Sequence, residues 1–158
     1  MTKIGYWELI TSNSKFRRLW LASVISMLGE WFNTIALFLL IFKYTDSEFL
    51  LGILFTVRML CFALLQPISG LLADRLNRKH IMLWSNLLQV FLALGFLAVD
   101  GPEDIPWMLG LSGLMMLLHG AYVTAERAAL PNIVSKEDLP TANALDAASW
   151  STALCNSS

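Results

Sequence analysis

Four long apolar runs separated by short polar breaks set the pattern of this chain. Residues 19–42 are apolar apart from Ser23, Ser26, Glu30, Asn33 and Thr34. Residues 49–73 carry Arg58 as their only charge and Pro67 inside the run. Residues 81–99 contain no charge, and residues 107–125 are rich in Gly, Leu and Met. Each run has about the 20 residues that a helix needs to cross a hydrocarbon core, so the pattern predicts four transmembrane helices. Pro67 does not argue against this, because neighbouring groups in a membrane bundle satisfy the carbonyl that a proline frees. Asp46 or Ser47 is the expected N-cap of the second helix. Near the end of the chain, Ser135 and Asp138 have capping-box spacing. A semi-apolar segment, residues 141–154, follows them and is too short to span. The expected fold is therefore all-α and polytopic. A polar segment, 1–18, precedes a membrane domain, 19–158, with helices at about 19–42, 49–73, 81–99 and 107–125 and an incomplete fifth at 141–154.

Composition supports this pattern. The chain is 56% hydrophobic and only 15% charged, against roughly 25% charged residues in soluble domains. The net charge of −1 is uninformative; the grouping of the charges matters more. Lys3, Lys15, Arg17 and Arg18 precede the first run, and Lys43 alone follows it. Arg75, Arg78 and Lys79 lie between the second and third runs, none between the third and fourth, and Arg127 and Lys136 after the fourth. Basic and basic-poor breaks alternate. By the positive-inside rule the N-terminus is cytoplasmic and the four helices cross out, in, out and in.

Two cysteines far apart, Cys61 and Cys155, form neither a disulfide framework nor a metal signature. The chain has no phosphate-binding loop and no nucleophile triad. An enzyme is not expected, nor a cofactor, nor nucleic acid as a partner. A proton or other ion gradient is the candidate energy source, and the lipid bilayer is the first partner.

The charges inside the runs are the candidate chemistry. Glu30 lies about 16 Å into the first helix and Arg58 about 14 Å into the second from the opposite face, at about 1.5 Å per residue. Both fall near the middle of a core about 30 Å thick. Facing lipid, each would cost roughly 2.5–3.5 kcal/mol, so both are expected to face the bundle interior or a water-filled cavity. A substrate- or proton-linked pair is one reading, and a structural salt bridge or snorkelling charges is the other. Asn33 shares a face with Glu30 one turn on. Asn33, Asn86 and Gln89 either line a cavity or hydrogen-bond between helices. His119 either shuttles protons or hydrogen-bonds a neighbour. Gly110, Gly113 and Gly120 are expected to allow close helix approach. Trp20, Trp84 and Trp107 are placed for interfacial belts.

The break after the second run reads Gly70-Leu-Leu-Ala-Asp74-Arg75-Leu-Asn77-Arg78-Lys79. It resembles the loop 2–3 signature of the major facilitator superfamily, G-x-x-x-D-R-x-G-R-K, at the position where that family carries it. The departure is Asn77, where glycine is usual. Asparagine is the next-best residue for a left-handed turn, so such a turn is expected here. Phe16-Arg-Arg-Leu-Trp20 with Ser26-Met-Leu-Gly29-Glu30-Trp31-Phe32 is similar to the first helix of the bacterial macrolide-efflux and enterobactin-exporter-like branch. Arg127-Ala-Ala-Leu-Pro131 with Leu139 and Ala142-Asn143-Ala144-Leu145 resembles that branch's loop 4–5. The arginine-containing fourth-helix signature of proton antiporters is not matched.

The resemblance implies alternating-access transport of a small drug- or siderophore-like molecule across a bacterial inner membrane. It implies that Asp74, Arg75 and Arg78, with Lys79, belong to a cytoplasmic gate, and that Gly70 permits close packing there. The same cations also set topology. Transporters of this family have two six-helix halves. By that count the chain is expected to be an N-terminal fragment, not competent alone, whose partner is the missing C-terminal half. A small membrane subunit that assembles through helix association is the alternative.

Overall fold

The computed structural model describes residues 6–45, 47–135, 137–145 and 147. Among them there are helices and no strands. The α-helices are α1 (Tyr6–Ser12), α2 (Ser14–Tyr44), α3 (Glu48–Arg75), α4 (Arg78–Gly95) and α5 (Ile105–Ala129). Short 3₁₀ turns follow α4 at Phe96–Ala98, precede α5 at Pro102–Asp104 and follow it at Leu130–Asn132. Residues 139–145 are again helical. Four helices are long and apolar enough to cross a membrane, so the chain is an all-α polytopic membrane protein, as the apolar runs predict.

The caps explain where the helices begin. Asn13 separates α1 from α2, and its Oδ1 accepts the N–H groups of Lys15 and Phe16, both at 3.1 Å. Ser47 caps α3, its Oγ accepting from Leu50 N at 3.4 Å. The alternative cap, Asp46, lies outside the described residues. Ser135 Oγ accepts from Asp138 N at 3.3 Å, the first half of the capping box that the spacing predicts. Beyond Ala147 the incomplete fifth helix lies outside the described residues.

The turn between α3 and α4 differs from expectation. Asn77 is not left-handed: its φ is −68° and ψ 113°, and its side chain accepts from Lys79 N at 3.1 Å. It is the N-cap of α4. With α3 ending at Arg75 and α4 starting at Arg78, residue 77 must have an extended backbone and offer an acceptor to the first turn. Asparagine and glycine are both favoured at N-caps, which accounts for Asn77 where the signature has glycine. Asn77→Ala is therefore expected to cost about 1 kcal/mol, and Asn77→Gly only a few tenths. Chemical unfolding in detergent reads the difference, and equal losses would remove the cap from the explanation.

The described residues fall into two compact units, one drawn from Met1–Glu30 with Arg127–Ser158 and the other from Trp31–Glu126. In the first, Leu9, Phe16, Val134 and Ala142 form a buried cluster with Ile10, Trp20, Leu130, Ile133 and Leu145 against it. Trp20 packs against this cluster, whereas Trp84 and Trp107 are exposed.

In the second unit, Leu37 and Ile41 near the end of α2 meet Leu54 near the start of α3, Val99 just after α4 and Met108 near the start of α5. Tyr44 Oη donates to the Val99 carbonyl at 3.2 Å at the same end. Two helix ends and two helix starts at one place mean that the four spans alternate in direction. α3 and α5 accordingly run parallel: Cys61 and Val57 lie against Gly113, Phe62 against Gly120, and Ser69 against Thr124. α5 is the enclosed helix, with 61% of its spanning window buried against 11% for α3 and for α4. Most large apolar side chains of α4, among them Leu83, Trp84, Leu87, Leu88 and Phe91, are exposed and suited to lipid.

Candidate functional site

Arg58 is the centre of the candidate site. It stands on α3, 4% exposed, and so faces neither lipid nor open solvent. Its Nη2 donates to Thr34 Oγ1 of α2 at 3.2 Å and approaches Met116 Sδ of α5 at 3.8 Å. Three spans therefore enclose one guanidinium. Arginine suits this place because its planar fork serves several acceptors at once. Thr34 was not singled out by the sequence. The available signal was its position one helical turn after Glu30, on the same face of α2.

Glu30 is half-buried and belongs to the first unit. Asn33 is half-buried on α2, and Gln89 half-buried on α4. Their amide nitrogens, Asn33 Nδ2 and Gln89 Nε2, are buried without a hydrogen-bond partner among the described residues. An interhelical hydrogen bond is thus not made by either amide nitrogen among the described residues. His119 is buried on α5, its ring 6.5 Å from that of Phe62. Gly120 packs on the same Phe62 ring.

The loop residues separate into two kinds. Asp74 and Arg75 fall in the last turn of α3, where Arg75 is exposed. Lys79 is exposed in the first turn of α4. Arg78 is half-buried, and its Nε reaches back to the Ala73 carbonyl at 3.4 Å. That carbonyl is among the last ones of α3, which have no partner within the helix, so Arg78 braces the turn and Arg75 and Lys79 project from it. A Cβ at Gly70 would meet nothing within 4 Å. Nothing in the described chain therefore requires glycine at that position.

One polar contact near this loop has no local signature in the sequence. Ser69, 2% exposed, places its Oγ 3.1 Å from Thr124 Oγ1 of α5, and Thr124 Oγ1 lies 3.4 Å from Gln66 Oε1. Isolated hydroxyls in apolar runs were this contact's only trace in the sequence.

The glycines of α5 are unequal. A Cβ at Gly113 would lie 3.1 Å from Cys61 Sγ and 3.2 Å from Val57 Cγ1, and one at Gly120 would lie 3.4 Å from Phe62 Cδ2. Gly110 would meet nothing within 4 Å and is exposed, so it supports no close approach in this chain.

Four alternating spans, a charge held among three of them, and a basic turn of the Gly70–Lys79 pattern narrow the family. The Major Facilitator Superfamily model matches residues 19–154, most of the chain. The chain belongs to the Major Facilitator Superfamily. No curated protein and no solved structure matches it. As a major facilitator protein it is of transporter type. The match does not distinguish a branch within the superfamily.

Proposed function

We propose that this chain is part of a secondary-active efflux transporter of a small drug- or siderophore-like molecule. It works by alternating access in a bacterial inner membrane, with its N-terminus in the cytoplasm. The observation that carries the reading is Arg58: a guanidinium enclosed by α2, α3 and α5 at mid-span, where a charge is costly and is kept for function. Glu30 is its proposed counter-charge, on the depth of the two residues along their helices. Asn33 supplies an unused amide donor one turn from Glu30. A proton or other ion gradient drives the cycle, and helices of a second half complete the cavity.

Gly70, Asp74, Arg75, Arg78 and Lys79 form the gate in this proposal. Arg78 braces the turn, and Arg75 and Lys79 are exposed for contact with the opposing half. The assembly-subunit alternative rested on the small residues of α5. Gly113 and Gly120 already pack on α3, so nothing favours it.

In the complete transporter, Asp74→Asn or Arg78→Ala is expected to cut efflux at least tenfold at unchanged membrane insertion. Efflux from loaded vesicles, with insertion measured by protease protection, tests this. Wild-type efflux in both variants would exclude the gating role.

A further inference from the structure

The first unit contains a contact that transport does not account for. Asn13 stands between α1 and α2, and all four of its polar groups are engaged. Its backbone N–H donates to the Leu9 carbonyl at 3.2 Å, closing α1, and its carbonyl accepts from Arg17 N at 2.9 Å, opening α2. Its Oδ1 caps α2 through Lys15 N and Phe16 N. Its Nδ2 donates to the Ile133 carbonyl at 2.8 Å, 120 residues away in sequence. That carbonyl belongs to the connection after α5, beyond the 3₁₀ turn Leu130–Asn132.

The apolar side chains around it repeat the connection. Leu9 and Phe16 flank Asn13 in sequence, and both are 2% exposed. They are buried with Val134 and Ala142, which flank the Ser135–Asp138 capping box. A hydrogen bond in the middle with apolar contacts on either side joins the two stretches at more than one point.

We infer that residues 9–16 are a strap that clasps the connection following α5, with Asn13 as a polar fastener, so that the start of α2 and residues 130–142 shift as one piece. A cap alone needs only Oδ1. The Nδ2 contact and the burial of Leu9 are additional to capping and serve the clasp. The inference goes beyond the transport reading and does not depend on it, since the experiment reads backbone amides and no flux.

The test is hydrogen exchange of the full chain in detergent micelles, followed by mass spectrometry. Asn13→Asp retains the acceptor for Lys15 and Phe16 and adds a charge favourable to the helix N-terminus. It has no N–H for Ile133. The amides of Ile133, Val134, Leu139 and Ala142, all hydrogen-bonded within the connection, should exchange roughly fivefold to tenfold faster. The Arg17 amide in α2 should exchange at the wild-type rate or slower. Leu9→Ala, which leaves every hydrogen bond of Asn13 in place, should speed the same four amides. Wild-type exchange at those four positions in both variants would overturn the strap. Faster exchange at Arg17 along with the four would reduce Asn13 to a helix cap.

Discussion

Arg58→Ala is expected to lower the stability of the chain in detergent by about 2–4 kcal/mol, whereas Arg58→Met should lower it by less than about 1.5 kcal/mol. The guanidinium is 4% exposed and donates to Thr34 Oγ1 at 3.2 Å. A hydrogen bond from a charged donor contributes about 1.5–3 kcal/mol, and alanine also leaves a void between α2, α3 and α5. The opposing effect is desolvation of the charge, several kcal/mol for a buried ion, which both substitutions relieve. Methionine removes the charge but fills the volume beside Met116, so the difference between the two variants isolates packing. Unfolding midpoints in a denaturing-detergent titration measure it. Equal losses in both would mean that the hydrogen bonds, and not the filled space, hold the three spans there. In the complete transporter Arg58→Met should insert and fold yet fail to transport, and normal transport would remove Arg58 from the site.

The second large effect is Gly113→Leu, expected to cost about 1–3 kcal/mol. Even a single Cβ at this position would lie 3.1 Å from Cys61 Sγ and 3.2 Å from Val57 Cγ1. Valine is stiff about χ1 and has little room to yield. A leucine must push α3 and α5 apart, and the two helices are also joined at Arg58–Met116, one turn further along α5, and at Ser69–Thr124 beyond it. Separation at Gly113 therefore loosens contacts along the pair. Gly110→Ala is the control: its Cβ meets nothing within 4 Å, and alanine gains up to about 1 kcal/mol of helix propensity. Cys61→Ala in a Gly113→Ala background should recover part of the loss by removing the nearer atom. The same unfolding titration reads all four variants, and a Gly113→Leu midpoint equal to that of Gly110→Ala would refute the close contact.

The spans were legible because a bilayer imposes length and apolarity directly on sequence. The four runs reappear as the cores of α2, α3, α4 and α5, and Ser47 and the Ser135–Asp138 pair cap where spacing places them. What was not legible depends on distance in sequence. No local pattern says that Asn13 meets Ile133, that Ser69 meets Thr124, or that Arg58 finds Thr34. The helicity around Asn13 was hidden by the polar, basic character of residues 1–18, which reads as a simple flank. Asn77 misled because asparagine suits both a left-handed turn and an N-cap; the short link between α3 and α4 decides for the cap. The glycines of α5 look equivalent in sequence, yet only the orientation of the helix separates Gly113 and Gly120 from Gly110.

The enclosure of α5 reaches back to how the chain enters the bilayer. Its mean hydropathy, 1.4, is the lowest of the four spans, against 2.1 for α3, and it is the span most buried by its neighbours. Lipid alone rewards its entry least, and much of its stabilisation comes from α3, which is synthesised earlier. The fourth crossing is in this sense templated by the second. A lesion on the α3 face around Val57, Cys61 and Phe62 would register as a misplaced downstream segment, with the defect appearing some fifty residues from its cause.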